Sequence, residues 1–225
     1  MQDNLQVWDD IFQQKEWGKY PPIALVKFIA TNFYGATTRK DVKILEVGSG
    51  PGANLWYCAR EGFSVYALDG SQTAIDRMIQ RFKEEGLEDN LIDVQVGDYY
   101  SSLDGIEDNT FDAVIDCESL YCNDFEKTRQ IVKKIFDKLK KGGTLFSMTF
   151  ADGTWGTDGE EIGYHGVRPQ IGPLGGTGYG RYTTRNDIDE QYKLGNNQII
   201  NIERQDLYLM NQEVIKEWLI EVQKQ

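Results

Sequence analysis

Apolar and polar positions change their period several times along this chain. Leu5, Trp8, Ile11 and Phe12 recur at three- and four-residue steps within residues 3–17, the spacing of one helix face. The stretch Trp17-Gly18-Lys19-Tyr20-Pro21-Pro22 breaks that pattern, and a proline suits the first turn of a second helix over residues 23–33. After a loop at 34–41, short and nearly continuous apolar runs at 43–47, 64–68, 92–96, 111–117 and 144–150 read as strands. Helical spacing separates several of them: residues 53–61, residues 72–85 behind Ser71 as N-cap, and residues 124–139. Lys140 and Lys141 suit the negative end of that last helix, and Gly142-Gly143 would stop it. Strands alternating with helices, with few polar strand positions, predict an α/β fold: a doubly wound, mostly parallel sheet covered on both faces.

The pattern changes at Ala151. Residues 151–180 are dense in glycine with scattered aromatics, which predicts a long loop without regular structure, and such loops in compact domains usually carry function. Thr183 or Thr184 would cap a helix at 185–193. Residues 199–209 read as a strand. In residues 214–222, Trp218, Ile220 and Val222 share one side at a period of two, which predicts a final strand hairpinned to the previous one; an amphipathic helix competes. The whole, 1–225, reads as a single domain. Residues 1–40 form an N-terminal helical cap, and 151–182 form a glycine-rich insertion on the substrate side.

Composition narrows the function. With 40% hydrophobic and 27% charged residues the chain is expected to be a soluble globular protein. A formal net charge of −12 argues against a nucleic-acid partner, which would need a basic stripe. No apolar run is long enough to cross a membrane, and the first residues lack a basic, then apolar, leader. Three cysteines, Cys58, Cys117 and Cys122, and a single histidine leave no metal spacing and no full disulfide set. Free thiols in a reducing cytoplasm are the expected state, in a monomer or homodimer.

The chemistry concentrates at ILEVGSGPGAN, residues 44–54. A strand, a glycine turn and a helix start, in that order, make a corner whose free N–H groups face an anion or nucleotide. A plain tight turn would share the glycines. Acids at the ends of four strands extend the corner: Glu46, Asp69, Asp98 and Asp116. Ligands on open parallel sheets sit at these ends, where strand order reverses. Asp69 stands twenty-one positions beyond Gly48, the distance at which a carboxylate accepts from a ribose diol. Asp98 would accept from an adenine amino group with Tyr99 alongside. The segment GSGPGA also satisfies G-x-G-x-x-A, so a nicotinamide-dependent oxidoreductase is the main alternative enzyme. The alternative outside enzymes is a non-catalytic cofactor-binding sensor or partner module.

E-V-G-S-G-P-G (46–52), A-L-D-G-S (67–71), V-G-D-Y (96–99), F-D-A-V-I-D (111–116) and L-K-K-G-G-T-L (139–145) resemble the successive motifs of class I S-adenosylmethionine-dependent methyltransferases. W-D-D-I-F and E-W-G-K-Y-P, within 8–21, are similar to the N-terminus of small-molecule members, some linked to sugar or surface-polysaccharide modification. The resemblance implies a seven-stranded sheet with an antiparallel last strand, and S-adenosylmethionine as cofactor. It implies that Gly48, Gly50 and Gly52 admit the amino-acid part of the cofactor, with Glu46 orienting that part. Asp69 would bind the ribose, flanked by Gly70 and Ser71, and Asp98 and Tyr99 would meet the adenine. Asp116 and Cys117 would border the sulfonium. The acceptor would be a small molecule, with a sugar hydroxyl, a carboxylate and an amine all open. His165, the one histidine, is the candidate general base. Tyr164, Arg168, Arg181 and Tyr182 are candidate acceptor contacts, and Trp8, Trp17 and Tyr20 a candidate lid or simple packing against the core.

Overall fold

The computed structural model describes residues 2–225, so Met1, the first residue of the expected domain, lies outside the described residues. Two helices lead in, α1 (Gln2–Gln14) and α2 (Ile23–Phe33). Strands and helices then alternate: β1 (Lys43–Val47), α3 (Ala53–Arg60), β2 (Ser64–Asp69), α4 (Gln72–Glu84), β3 (Leu91–Val96), a four-residue α5 (Tyr99–Ser102), β4 (Phe111–Cys117), α6 (Phe125–Lys138) and β5 (Leu139–Phe150). Three short strands follow, β6 (Glu160–Glu161), β7 (Gly166–Arg168) and β8 (Gly180–Arg181), and then α7 (Arg185–Tyr192), β9 (Gln198–Tyr208) and β10 (Val214–Gln223).

The main sheet has seven strands in the order β3-β2-β1-β4-β5-β10-β9. β1 to β5 are mutually parallel, while β10 runs antiparallel to both β5 and β9. Strand order reverses between β1 and β4, and the register there aligns Val47 with both Leu68 and Asp116. The ends of β1, β2 and β4 are therefore level, and the loops after them open onto one crevice.

Alternation along β1 sends successive side chains to opposite faces. Ile44 joins a core built with Leu25, Phe28 and Ile29 of α2, Leu55 and Cys58 of α3 and Met78 of α4. Leu45 and Val47 join another with Ile131, Val132 and Ile135 of α6 and Ile188 of α7. β10 divides the same way: Leu219 enters the first core, and Trp218, Ile220 and Val222 enter the second. The competing helical reading of this segment fails because its backbone groups are taken by ladders to two neighbours.

Other expectations are corrected. Gly142-Gly143 do not end a helix. Leu139 already has extended geometry as the C-cap of α6, and β5 begins there, carrying both glycines inside it. Gly142 N–H donates to Lys224 O, so the chain end pairs with this stretch. Lys140 bonds Asp112 rather than the helix end. The segment after Ala151 is not without regular structure: β6, β7 and β8 form a small antiparallel sheet. Thr184, not Thr183, caps α7, in a capping box with Asp187. The short α5 follows Asp98, whose carboxylate caps it by accepting from Tyr100 and Ser101 N–H.

Candidate functional site

A cavity of about 420 Å³ opens at the switch point. Its floor is the turn after β1. Gly48 holds φ +75°, and a Cβ there would lie 2.2 Å from Ser119 Cβ and 2.7 Å from Tyr99 Oη, so both conformation and packing require glycine. Gly50 faces the cavity below Phe12, and its N–H donates to Asp69 Oδ2 at 2.7 Å. Gly52 stands off the cavity wall and opens α3; the space a Cβ would need is filled by Met78.

Asp69 ends β2 with its carboxylate buried and hydrogen-bonded through both oxygens. Oδ2 accepts from Gly50 N–H and Oδ1 from Ser71 N–H at 2.8 Å, which ties the glycine turn to the start of α4. Burial raises its pKa, against the pull of those backbone bonds. Each carboxylate oxygen keeps a second lone pair for a ligand on the cavity side. Gly70 and Ser71 also line the cavity, and Ser71 Oγ accepts from Ala74 N–H as N-cap of α4.

Glu46 is 1% exposed, yet it lines the cavity. Its Oε1 accepts from Asn54 Nδ2 at 2.6 Å, while Oε2 has no partner. Burial pushes this carboxyl well above the usual range, with Asn54 opposing and Asp69 and Asp116 adding to the rise. Ser49 Oγ is likewise buried without a partner on the same wall. Leaving such groups unmatched costs about 1–3 kcal/mol each, a cost that a polar ligand removes. Asp98 and Tyr99 sit at the rim beyond β3, with Asp98 Oδ2 held by Lys127 Nζ at 2.5 Å.

Like Gly52, several other predicted site residues stand off the cavity wall. Asp116 is fully buried beneath the cavity rather than on its wall. Its carboxylate accepts from Ser147 Oγ, Ser119 Oγ and N–H, and Leu120 N–H, so it fastens the loop after β4 to β5. Its neighbour Cys117 does reach the wall. His165 does not line the cavity: Nδ1 lies 2.8 Å from Asp187 Oδ2, and the ring stacks on Tyr164 at 4.0 Å. The Asp187 that anchors it also closes the capping box of α7, so the histidine is directed to that helix. Tyr164 bonds Asp187, Arg181 is buried against Thr183, and Tyr182 packs with Tyr121 and Phe150. Neither these nor Arg168 line the cavity. Of the glycine-rich insertion, Pro173 and Leu174 form part of the wall.

The remaining wall comes from the N-terminus. Trp8, Phe12 and Trp17 make edge and tilted ring contacts at 5.5–5.8 Å and, with Tyr20, line the cavity. Asp9 fastens α1 there by accepting from Ser71 Oγ at 2.5 Å and Thr73 N–H at 3.1 Å. Sequence reasoning missed Asn54, Glu118, Ser119 and Tyr121. Asn54 was within reach, being a polar residue in the first turn after the glycines. Glu118, directly after an apolar strand that ends in Asp116 and Cys117, was also visible.

Residues 44–143, a little under half of the chain, match a family model described as a methyltransferase domain. No curated protein matches the chain in sequence. Among solved structures, one of SAM-dependent methyltransferases, from Methanosarcina mazei, superposes with a TM-score of 0.71 at 20% identity, over 87% of this chain and 96% of that one. One described by the conversion of a disulfide bond into a thioacetal group during echinomycin biosynthesis gives 0.69 at 19% identity, over 98% and 92%. Haemonchus contortus phosphoethanolamine N-methyltransferase 2, solved with S-adenosyl-L-methionine, gives 0.67 at 15% identity, over 100% of this chain and 57% of that one. At such identities the likeness is one of fold.

Proposed function

We propose that the chain, of which residues 44–143 match a methyltransferase-domain model, is a class I S-adenosylmethionine-dependent methyltransferase that as one domain moves a methyl group from that cofactor to a small-molecule acceptor. The observation that carries the reading is Glu46, a residue of the cavity wall where the strand order reverses, whose Oε2 is buried and unpartnered. A carboxylate in that state suits the ammonium of an amino-acid moiety. Gly48 and Gly50 would let the backbone approach that moiety. Asp69 would take the ribose hydroxyls through its free lone pairs, with Gly70 and Ser71 beside them. Asp98 and Tyr99 would border the adenine. Asp116 and Gly52 act one layer back, by holding the loops that carry these groups.

When bound, the cofactor supplies a methyl group already activated on a sulfonium, so the protein's share is orientation and exclusion of water. The aromatic wall of Trp8, Phe12 and Trp17 suits the second task. Three free cysteines, and the lack of any helix long and apolar enough to cross a membrane among the described residues, support a cytoplasmic location. The net charge of −12 supports the absence of a nucleic-acid partner. A monomer or homodimer suffices, since every group named above comes from one chain.

Calorimetric titration with S-adenosylhomocysteine and with NAD tests the reading. Binding of the first with no heat from the second is the expected result. NAD binding without S-adenosylhomocysteine binding sinks the reading in favour of an oxidoreductase.

A further inference from the structure

Four charged side chains line the cavity, Glu46, Asp69, Asp98 and Glu118, and all four are acids. Among the described residues no lysine, arginine or histidine joins them. The first three stand at or beyond the ends of β1, β2 and β3, on the side given above to the cofactor, and Asp98 is matched by Lys127. Glu118 belongs to a different wall. It directly follows β4, its N–H donates to Met148 O at 2.8 Å, and Tyr121, Met148 and Phe150 line the cavity with it.

Two features single Glu118 out. Its φ of +56° is a left-handed conformation that a residue with a side chain rarely adopts, and such strain gathers at functional sites. Its neighbour in charge is Glu217 on β10, a buried residue that accepts from Gln205 Nε2 at 2.6 Å. Burial first, and then Glu217, raise the Glu118 pKa well above the usual range, which makes it a stronger base than an ordinary carboxylate.

We propose that the methyl acceptor is a small primary or secondary amine carried on an apolar or aromatic body, and that Glu118 receives its ammonium group and takes its proton. The inference rests on the methyl-transfer reading and names its acceptor class. Acidic lining repels a carboxylate or phosphate. A sugar would need many polar partners, whereas the wall around Glu118 is largely aromatic and aliphatic. Aromatic faces beside a carboxylate are the surroundings an organic cation favours. In the step itself, the ammonium nitrogen gives one proton to the Glu118 carboxylate, leaving that carboxyl neutral. The freed lone pair forms the N–C bond to the methyl carbon. The C–S bond breaks, and its electron pair stays on sulfur as a neutral thioether.

The test uses the full chain with S-adenosylhomocysteine bound and three isosteric probes: phenethylamine, 2-phenylethanol and phenylacetate. The amine is expected to bind about tenfold more tightly than the alcohol, with no binding of the carboxylate. With S-adenosylmethionine, the amine alone is expected to release S-adenosylhomocysteine. Glu118→Gln is expected to lower kcat/KM for the amine by about 100-fold or more while S-adenosylhomocysteine affinity stays unchanged, and that affinity also reports that the variant is folded. If Glu118→Gln does not fold, the ranking of the three probes on the unaltered chain decides. Equal or weaker binding of the amine relative to its isosteres, with S-adenosylhomocysteine still bound, overturns this inference alone. Failure of the unaltered chain to bind S-adenosylhomocysteine strikes instead at the reading beneath it.

Discussion

Asp69 serves the fold and the proposed ligand with the same two oxygens. Its carboxylate accepts Gly50 N–H and Ser71 N–H in a buried setting. Asp69→Ala removes the proposed ribose contact and also strands two backbone donors, one of which shapes the glycine turn. We predict that Asp69→Ala lowers S-adenosylhomocysteine affinity by about 100-fold and costs about 2 kcal/mol of stability. Titration calorimetry and urea unfolding measure the two effects. Unchanged affinity would count against the ribose assignment. Asp116 shows the opposite case, an acid at a strand end that is wholly occupied inside the protein. In sequence the two residues look alike, each an aspartate closing an apolar run. Only the direction of the side chain separates them.

Helix α1 is joined to the rest of the molecule by a few specific contacts. Asp9 accepts from Ser71 Oγ and Thr73 N–H, and the first of these bonds chiefly holds its carboxyl below the usual range. Asn4 donates to Cys122 O and Tyr179 O and accepts from Tyr179 N–H, and so reaches both the loop after β4 and the glycine-rich insertion. Leu5 fills the space beside Gly70, where a Cβ would lie 2.3 Å from its methyl group. The helix is therefore a strap over the cavity, and most of the two main cores lies elsewhere: neither contains a residue of α1. Removing residues 2–14 is expected to leave cooperative unfolding of the seven-stranded sheet in place while weakening S-adenosylhomocysteine binding by about tenfold or more. Circular dichroism melts together with calorimetry check this. Loss of the fold on truncation would show that the helix is structural rather than a cover.

Across the whole molecule, three buried acids, Glu46, Asp69 and Asp116, lie on or beneath one cavity in a chain of net charge −12. Burial raises the pKa of Glu46, Asp69 and Asp116 alike. A raised folded-state value means that their contribution to stability is fully present below the unfolded carboxylate range, about pH 4, and is lost as pH rises through the folded values. Asp9, Asp187 and Asp189 are lowered, and what they add is lost only as pH falls below about 4. The ligand-free protein is therefore expected to melt at a progressively lower temperature as pH rises above about 4, by about a few degrees in all. A cation bound beside Glu46 favours the ionised carboxyls, so S-adenosylmethionine binding is expected to release protons. Scanning calorimetry across pH, and titrations in buffers of different ionisation enthalpy, check both. A melting temperature that is flat or climbs as pH rises above about 4 would show that these acids lie in a wetter setting than the structure gives them.

Periodicity was enough for the five parallel strands and for the helices α1, α4 and α6, because each buries one face or one stripe and its apolar residues must recur at the matching step, whereas α7 was read from its threonine cap and β10 kept a helical alternative. The glycine turn and Asp69 were legible for a related reason: both are local demands of a strand that turns into a helix beside a ligand. What the chain order could not contain was decided by packing between distant segments. Gly142-Gly143 lie inside a strand because Lys224 comes to pair with Gly142. His165 is led away from the cavity by Asp187, and the pKa of Glu118 is raised by burial first and then by Glu217. A side chain's partner across the fold sets where it points and what charge it holds, and no local pattern records that partner.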